Sequence, residues 1–199
     1  MFSDKTHIIF DAFWTLIETS WAEKYYRKSL AILNKYWWIK KLKLLTNKYP
    51  SFPNAYFQAI LKQLNVNNFD VIDELILLFE QEKKFYRLKP YAKELLELLS
   101  WKWKKLYVAS NLSSLYVPVA DKLFDWLPID KIYYSCEIWL KKNVNDLSFY
   151  NYILKDLQIK PEQVIFTGDS LENDVIGPSK LGIKSFLIEE FLKQCKIKN

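Results

Sequence analysis

Asp11 closes the apolar run Thr6–Phe10 (THIIF) in the segment FDAFWTL, the first of four places where polar chemistry follows a strand-like stretch. The second is Ser110-Asn111, ending YVASN, and the third is the pair Lys141-Lys142 after Glu137. The fourth is Gly168-Asp169 in FTGDSLEND, with Asp174 five residues on. Taken singly, an Asp or a Ser-Asn after a strand is commonly a helix N-cap, and a lysine pair is commonly solvated. Four such groups, each at or just after a strand end, point to one shared site. Open α/β sheets place their ligands at the carboxyl ends of the strands.

Carboxylates brought together at one sheet edge repel each other unless a cation sits among them, and hard oxygen ligands favour Mg²⁺. Such an ion screens an incoming phosphate from the carboxylate that attacks it and stabilises charge on the transferring group. Lys142 would add a second positive charge, and Ser110 a hydrogen bond to a phosphoryl oxygen. Asp11 would then be the nucleophile, forming a covalent aspartyl intermediate that water later hydrolyses. A Ser-His-Asp or Cys-His mechanism would rest on the single histidine, His7, which opens an apolar run and reads as structural.

Five short apolar runs have the character of buried parallel strands: THIIF, Leu106–Ala109 (LYVA), Lys131–Tyr134 (KIYY), Val164–Thr167 (VIFT) and Ser185–Ile188 (SFLI). Amphipathic helical patterns lie between them at Tyr91–Leu99, Phe149–Leu157 and Asn173–Leu181. Strand–helix alternation from residue 90 onward predicts a parallel sheet with covering helices. The stretch from Glu18 to Leu88 interrupts it, with helical patterns such as Tyr25–Leu33 and Val71–Phe85 and no convincing strand. It reads as an inserted helical module.

With 199 residues, half of them hydrophobic, the chain is long enough to bury a full core. No apolar stretch approaches the roughly 20 residues of a membrane span, and the N-terminus lacks a signal-peptide layout. A cytoplasmic protein is expected, with Cys136 and Cys195 as reduced thiols. The net charge of +6 lies mostly in Lys35–Lys48 and Lys193–Lys198. Interleaved with aromatics, such lysines can mark nucleic-acid binding, but a solvated helix face in a lysine-rich protein is the simpler reading. Neither nucleic acid nor membrane is expected as a partner, the excess charge suits a small anionic substrate, and oligomeric state is not legible.

These motifs resemble the haloacid dehalogenase superfamily. FDAFWTL is similar to its first motif, YVASN to its second, the lysine after CEI to its third, and GDSLENDVIGPSKLGI to its fourth. The likeness covers about residues 1–17 and 90–190, and residues 18–88 resemble the helical cap of subclass I members. It implies a Rossmann-like core over 1–17 and 89–199 with an inserted cap that closes over the site and chooses the substrate. It further implies that Asp11 is the nucleophile and that Ser110, Asn111 and Lys142 meet the substrate. Lys142 would also steady the nucleophile. Asp11, the main-chain carbonyl of Phe13, Asp169 and Asp174 would hold Mg²⁺.

Three departures from the family pattern matter. Phe13 stands where phosphatases of the family carry an Asp as general acid, which is similar to the 2-haloacid dehalogenase branch, whose halide leaves without a proton. That branch does not use the carboxylates suited to Mg²⁺, so phosphate ester hydrolysis is the favoured expectation. The alternatives are a dehalogenase and an inactive protein that keeps the fold for binding. Secondly, Asn143 replaces the proline expected after the lysine, which leaves Lys141 and Lys142 both open for that role. Thirdly, Trp14 and Trp139 stand where the family has glycine, and Trp101 and Trp103 occupy a helix-to-strand connection where glycine is usual. The chain has three glycines and eight tryptophans, whereas the usual share of about 7% predicts roughly 14 glycines. The expectation is that these tryptophans are glycine in the natural protein.

Overall fold

An apolar run without alternation needs cover on both faces, and the computed structural model of the chain provides it for His7–Phe10 (β1), where Ile8, Ile9 and Phe10 are all buried. The structure describes residues 6–19, 28, 31–32, 53–63 and 69–197. β1 is the middle strand of a five-stranded sheet with Lys105–Ser110 (β4), Lys131–Tyr134 (β5), Val164–Gly168 (β6) and Lys184–Leu187 (β7), in the order β5-β4-β1-β6-β7. Every pairing is parallel, with Phe10 opposite Val108 on one side and Thr167 on the other. All five runs read as strands from the sequence are strands of this sheet.

Helices cover both faces. Ala92–Trp101 (α3) buries Leu95, Leu96 and Leu99 and packs against β4. On the face of Ile9, Tyr107 and Phe166, Ser148–Leu157 (α6) contributes Phe149, Tyr150, Ile153 and Leu154 to one continuous cluster. On the opposite face Ile188–Cys195 (α8) sets Phe191 edge-on to Phe10, with ring centroids 5.8 Å apart. Each such fully buried side chain contributes about 1.5–3 kcal/mol. The result is an α/β, Rossmann-like core of helices, sheet and helices. His7 belongs to it structurally: its ring stacks on Tyr107 and its Nδ1 lies 3.1 Å from the Tyr107 hydroxyl. Cys136 and Cys195 are buried thiols with no disulfide between them.

The chain divides into two compact units, Met1–Glu18 with Leu88–Asn111 and Leu123–Asn199, and Thr19–Arg87 with Leu112–Lys122. In the second, Pro53–Gln63 (α1) and Phe69–Glu82 (α2) join apolar faces. Tyr56, Phe57, Ile60 and Leu61 meet Val71, Ile72, Leu75 and Phe79, the helical spacing of an amphipathic pair, and Leu115 completes the cluster. Glu82 is buried there and accepts hydrogen bonds from the Tyr86 and Tyr116 hydroxyls at 2.5 and 3.1 Å. Burial pushes its carboxyl upward while those bonds hold it back. No described helix is long and apolar enough to cross a membrane. The patterns at Tyr25–Leu33 and the lysines of 35–48 fall largely outside the described residues.

Two readings of the sequence differ from the fold. Ile17–Thr19 (β2) and Tyr86–Leu88 (β3) pair as a small two-stranded sheet where no strand is predicted, because three residues are too few to show a period. The helix expected at Asn173–Leu181 is instead a π-helical segment, Leu171–Ile176, followed by the short Gly177–Ser179 (α7). Pro178 lacks the N–H that would bond the carbonyl four residues back, so a regular α-helix cannot run through it.

Val117–Phe124 (α4) and Ser135–Ile138 (α5) are two further helices of the chain. The π-helical segment is held from the side by α6, whose Tyr150 hydroxyl donates to the Asn173 carbonyl at 2.5 Å. A Cβ at Gly177 would stand 2.6 Å from that hydroxyl. Gly177→Ala is therefore expected to destabilise the protein by about 1–3 kcal/mol, although its backbone is helical. Urea unfolding checks this, and a wild-type midpoint would refute the packing argument.

Candidate active site

Because β1 is central, Asp11 emerges between the carboxyl ends of β4 and β6, and its amide donates to the Thr167 carbonyl at 2.9 Å. The chain then turns sharply: the amides of Leu16 and Ile17 both donate to the Ala12 carbonyl, and Trp14 N–H donates to the Ile17 carbonyl at 2.8 Å. This turn returns the buried Thr15 hydroxyl to Asp11, donating to Oδ2 at 3.2 Å. Tyr91 secures the turn by donating to the Thr15 carbonyl at 2.5 Å. Thr15 carries no predicted role in the sequence. Its place four residues after Asp11 in FDAFWTL is the only signal for it.

Lys142 arrives on the loop after α5. Asn111, immediately after β4, holds that loop at two points: its side-chain NH₂ donates to the Lys142 carbonyl at 2.9 Å, and its Oδ1 accepts from the Lys142 amide at 2.7 Å. The Lys142 ammonium donates to Asp11 Oδ1 at 2.5 Å and to Asp174 Oδ1 at 2.6 Å, with only 3% of its side chain exposed. Lys141 is exposed. Lys142, and not its neighbour, thus delivers charge to the carboxylates.

Asp174 lies in the π-helical segment, a distortion common at functional sites. Its Oδ2 accepts from the Ser170 amide at 2.9 Å, and the Ser170 side chain caps the segment by accepting from Asn173 N–H. Gly168, the last residue of β6, permits the approach, because a Cβ there would fall within the Asp174 carboxylate. Asp169 follows, exposed. One carboxylate oxygen from each of Asp11, Asp169 and Asp174 lies within 4.8 Å of the others, so these residues could hold a metal ion. Ser110 is buried at the end of β4, opposite Tyr134, and Phe13 makes an isolated bridge to Ile17 in the turn after Asp11.

Lys142 pairs with Asp11 and Asp174 but not Asp169, so among the described residues the three carboxylates outnumber the one ammonium bonded to them. The electrostatics follow. Burial raises the Asp11 carboxyl, Lys142 pulls it down and Asp169 pushes it up again. Burial likewise raises Asp174 and Asp169, each with a further upward push from a neighbouring carboxylate. For Lys142, burial favours the neutral amine, but Asp11 and Asp174 outweigh it and raise the group, so the ammonium stays charged. This charge pattern suits a hard divalent cation, which brings two positive charges to oxygen ligands.

A family model described as haloacid dehalogenase-like hydrolase matches residues 8–188. Among solved structures, a HAD family enzyme from Bacteroides thetaiotaomicron, in complex with magnesium and inorganic phosphate, is similar at TM-score 0.69 and 17% identity, covering 92% of this chain and 93% of that one. A dehalogenase with an intermediate complex is similar at TM-score 0.61 and 18% identity, covering 92% of this chain and 84% of that one. These identities speak for the fold alone. A drimenol cyclase from Aspergillus calidoustus is 28% identical over 135 residues, 67% of this chain; the match spans only 25% of that protein's length. With the family match running across nearly all of the sheet that carries Asp11, Lys142 and the two later aspartates, the chain belongs to the haloacid dehalogenase-like hydrolases.

Proposed function

We propose that the protein is a phosphomonoester hydrolase that works through an aspartyl phosphate on Asp11. The observation that carries this reading is the convergence of Asp11, Asp169 and Asp174 within 4.8 Å, with the Lys142 ammonium bonded to two of them. The three carboxylates and the Phe13 carbonyl would hold Mg²⁺, as the bacterial relative with magnesium and phosphate encourages. When bound, the ion neutralises charge on the transferring phosphoryl group.

The chain's own groups supply the rest. An Asp11 oxygen attacks phosphorus and forms an acyl phosphate, while the leaving oxygen departs with the bonding pair and takes its proton from water. Water then attacks phosphorus, releasing phosphate and restoring the carboxylate. Thr15 and Lys142, each on a different oxygen of Asp11, fix the plane of the nucleophile. Lys142 remains an ammonium throughout and offsets negative charge in the absence of bulk water. Ser110 would donate to a phosphoryl oxygen. Asn111 would shape the substrate site through the loop it holds, beyond any contact of its own. Residues 1–17 and 89–199 would be the catalytic core and 18–88 the helical cap that selects a small phosphorylated substrate, in the cytoplasm.

A second reading, 2-haloacid dehalogenase, is favoured by one observation: Phe13 stands two residues after Asp11, where the family's phosphatases carry an acid for the leaving oxygen. Two assays separate the readings. Hydrolysis of p-nitrophenyl phosphate is expected to need Mg²⁺, to stop with EDTA, and to fall by at least about 10³-fold in Asp11→Asn. Chloride release from a 2-haloacid that EDTA leaves untouched would replace the phosphatase reading. Silence in both assays, with wild type equal to Asp11→Asn, would reduce the site to binding.

Leaving-group dependence is a separate expectation. Lacking an acid, the protein should hydrolyse alkyl phosphates about 10²–10⁴-fold more slowly than one that has it. Phe13→Asp should recover much of that on alkyl esters while changing the p-nitrophenyl ester little. Equal effects on both substrates would remove Phe13 from the argument.

Metal and stability are linked with a definite sign. The three carboxyls are raised in the folded chain above the ordinary 3.8, so the fold binds their protons more tightly than the unfolded chain does. The stability this contributes is present below about that pH and is lost as pH rises through the raised values. Without divalent ions at pH 7, Asp169→Asn should therefore raise Tm. Mg²⁺ at a hundred times its Kd should stabilise wild type by about 2.7 kcal/mol and the variant far less. A thermal shift in which both respond equally would remove Asp169 from the ion's ligands.

A further inference from the structure

Five described residues other than glycine adopt a left-handed backbone: Trp14 (φ 65°), Trp103 (57°), Trp139 (58°), Gln158 (55°) and Lys196 (59°). An L-residue loses roughly 1–2 kcal/mol in this region, whereas glycine enters it freely. Three of the five are tryptophans, although the chain has only eight in 199 residues.

Gln158 and Lys196 show what the fold tolerates there. Both close helices, α6 and α8, and their flexible polar side chains are at home in water. The tryptophans differ in this respect. Trp14 is 53% exposed, Trp139 66% and Trp103 92%. An indole stabilises a protein through the area it buries, so these side chains bear the backbone cost with little return from burial.

The local chain around each tryptophan also suits glycine, most clearly at Trp103. Trp103 is the residue after the cap of α3, where Trp103 N–H donates to the Ser100 carbonyl at 2.9 Å and Lys104 N–H to the Leu99 carbonyl at 3.1 Å. That crossed pair is the helix-ending motif in which glycine is the usual left-handed residue. Trp139 ends α5 in the same conformation, three residues before Lys142. Trp14 sits between the nucleophile Asp11 and its hydrogen-bond partner Thr15, in the tightest turn of the site. The chain as a whole holds three glycines, against an expectation of roughly 14.

We infer that the functional protein carries glycine at positions 14, 103 and 139, the source organism reading UGA as glycine and the tryptophans being UGA decoded by the wrong table. Trp101, the last residue of α3, and Trp126 lack the left-handed backbone, so the structure does not assign glycine to them. The inference is thus narrower than a replacement of every tryptophan. It also bears on the site, since glycine at 14 lets the turn that joins Asp11 to Thr15 close without backbone strain.

Peptide-resolved mass spectrometry of the protein purified from its own organism decides the matter. Glycine at all three positions is expected, and tryptophan at any one of them overturns the inference. A recombinant comparison tests the physical reason. The triple variant W14G/W103G/W139G should melt above the chain with tryptophan, by about 2–4 °C for each kcal/mol relieved. An unchanged or lower Tm would overturn the strain argument. Neither readout depends on catalytic activity, so both hold whether or not the phosphatase reading survives.

Discussion

A buried ammonium between two carboxylates, with a third carboxylate close by, is the interaction around which the rest of this protein is arranged. Removing water from Lys142 alone would be costly, and removing it from Asp11 or Asp174 alone equally so. Together they are tolerable, but the three carboxylates outnumber the one ammonium bonded to them. That imbalance is the useful part. It leaves a place where positive charge is wanted, at the mouth of a sheet whose central strand ends in a carboxylate.

The scaffold serves this arrangement through close backbone approaches more than through large cores. Gly168 has no side chain because Asp174 occupies that space. Asn111 ties the end of β4 to the backbone of Lys142, so that two loops from different crossovers behave as one piece. The π-helical segment turns Asp174 inward while α6 braces it through Tyr150. Each of these devices helps to fix the position of a charged side chain of the cluster through a close backbone approach or a hydrogen bond.

Much of this is readable in the sequence, and the reasons are specific. THIIF, LYVA and VIFT are unbroken apolar runs because their strands are covered on both faces, and the polar residue that ends each run marks the sheet edge. Asp11, Ser110 and Asp169 stand out for that reason, and Asp174 by its spacing five residues after Asp169. Lys142 does not: Lys141 and Lys142 are equivalent as letters, and only the two-point grip of Asn111 separates the buried one from the exposed one. Thr15 is hidden because its role depends on a turn that brings residue 15 back over residue 11. The short strands β2 and β3 escape because period-two patterning needs more than three residues, and the π-helical segment escapes because its apolar spacing mimics an α-helix until Pro178 interrupts it.

The parallel order of the sheet has a kinetic consequence. Asp11 and the Lys142 ammonium that bonds it are separated by 131 positions along the chain. No local fragment can assemble this pair: the chain must reach the third crossover, between β5 and β6, before Asp11 meets its counter-charge. Long loop closures of this kind slow folding. The buried charge cluster therefore rests on long-range closure of the sheet and on no single local segment.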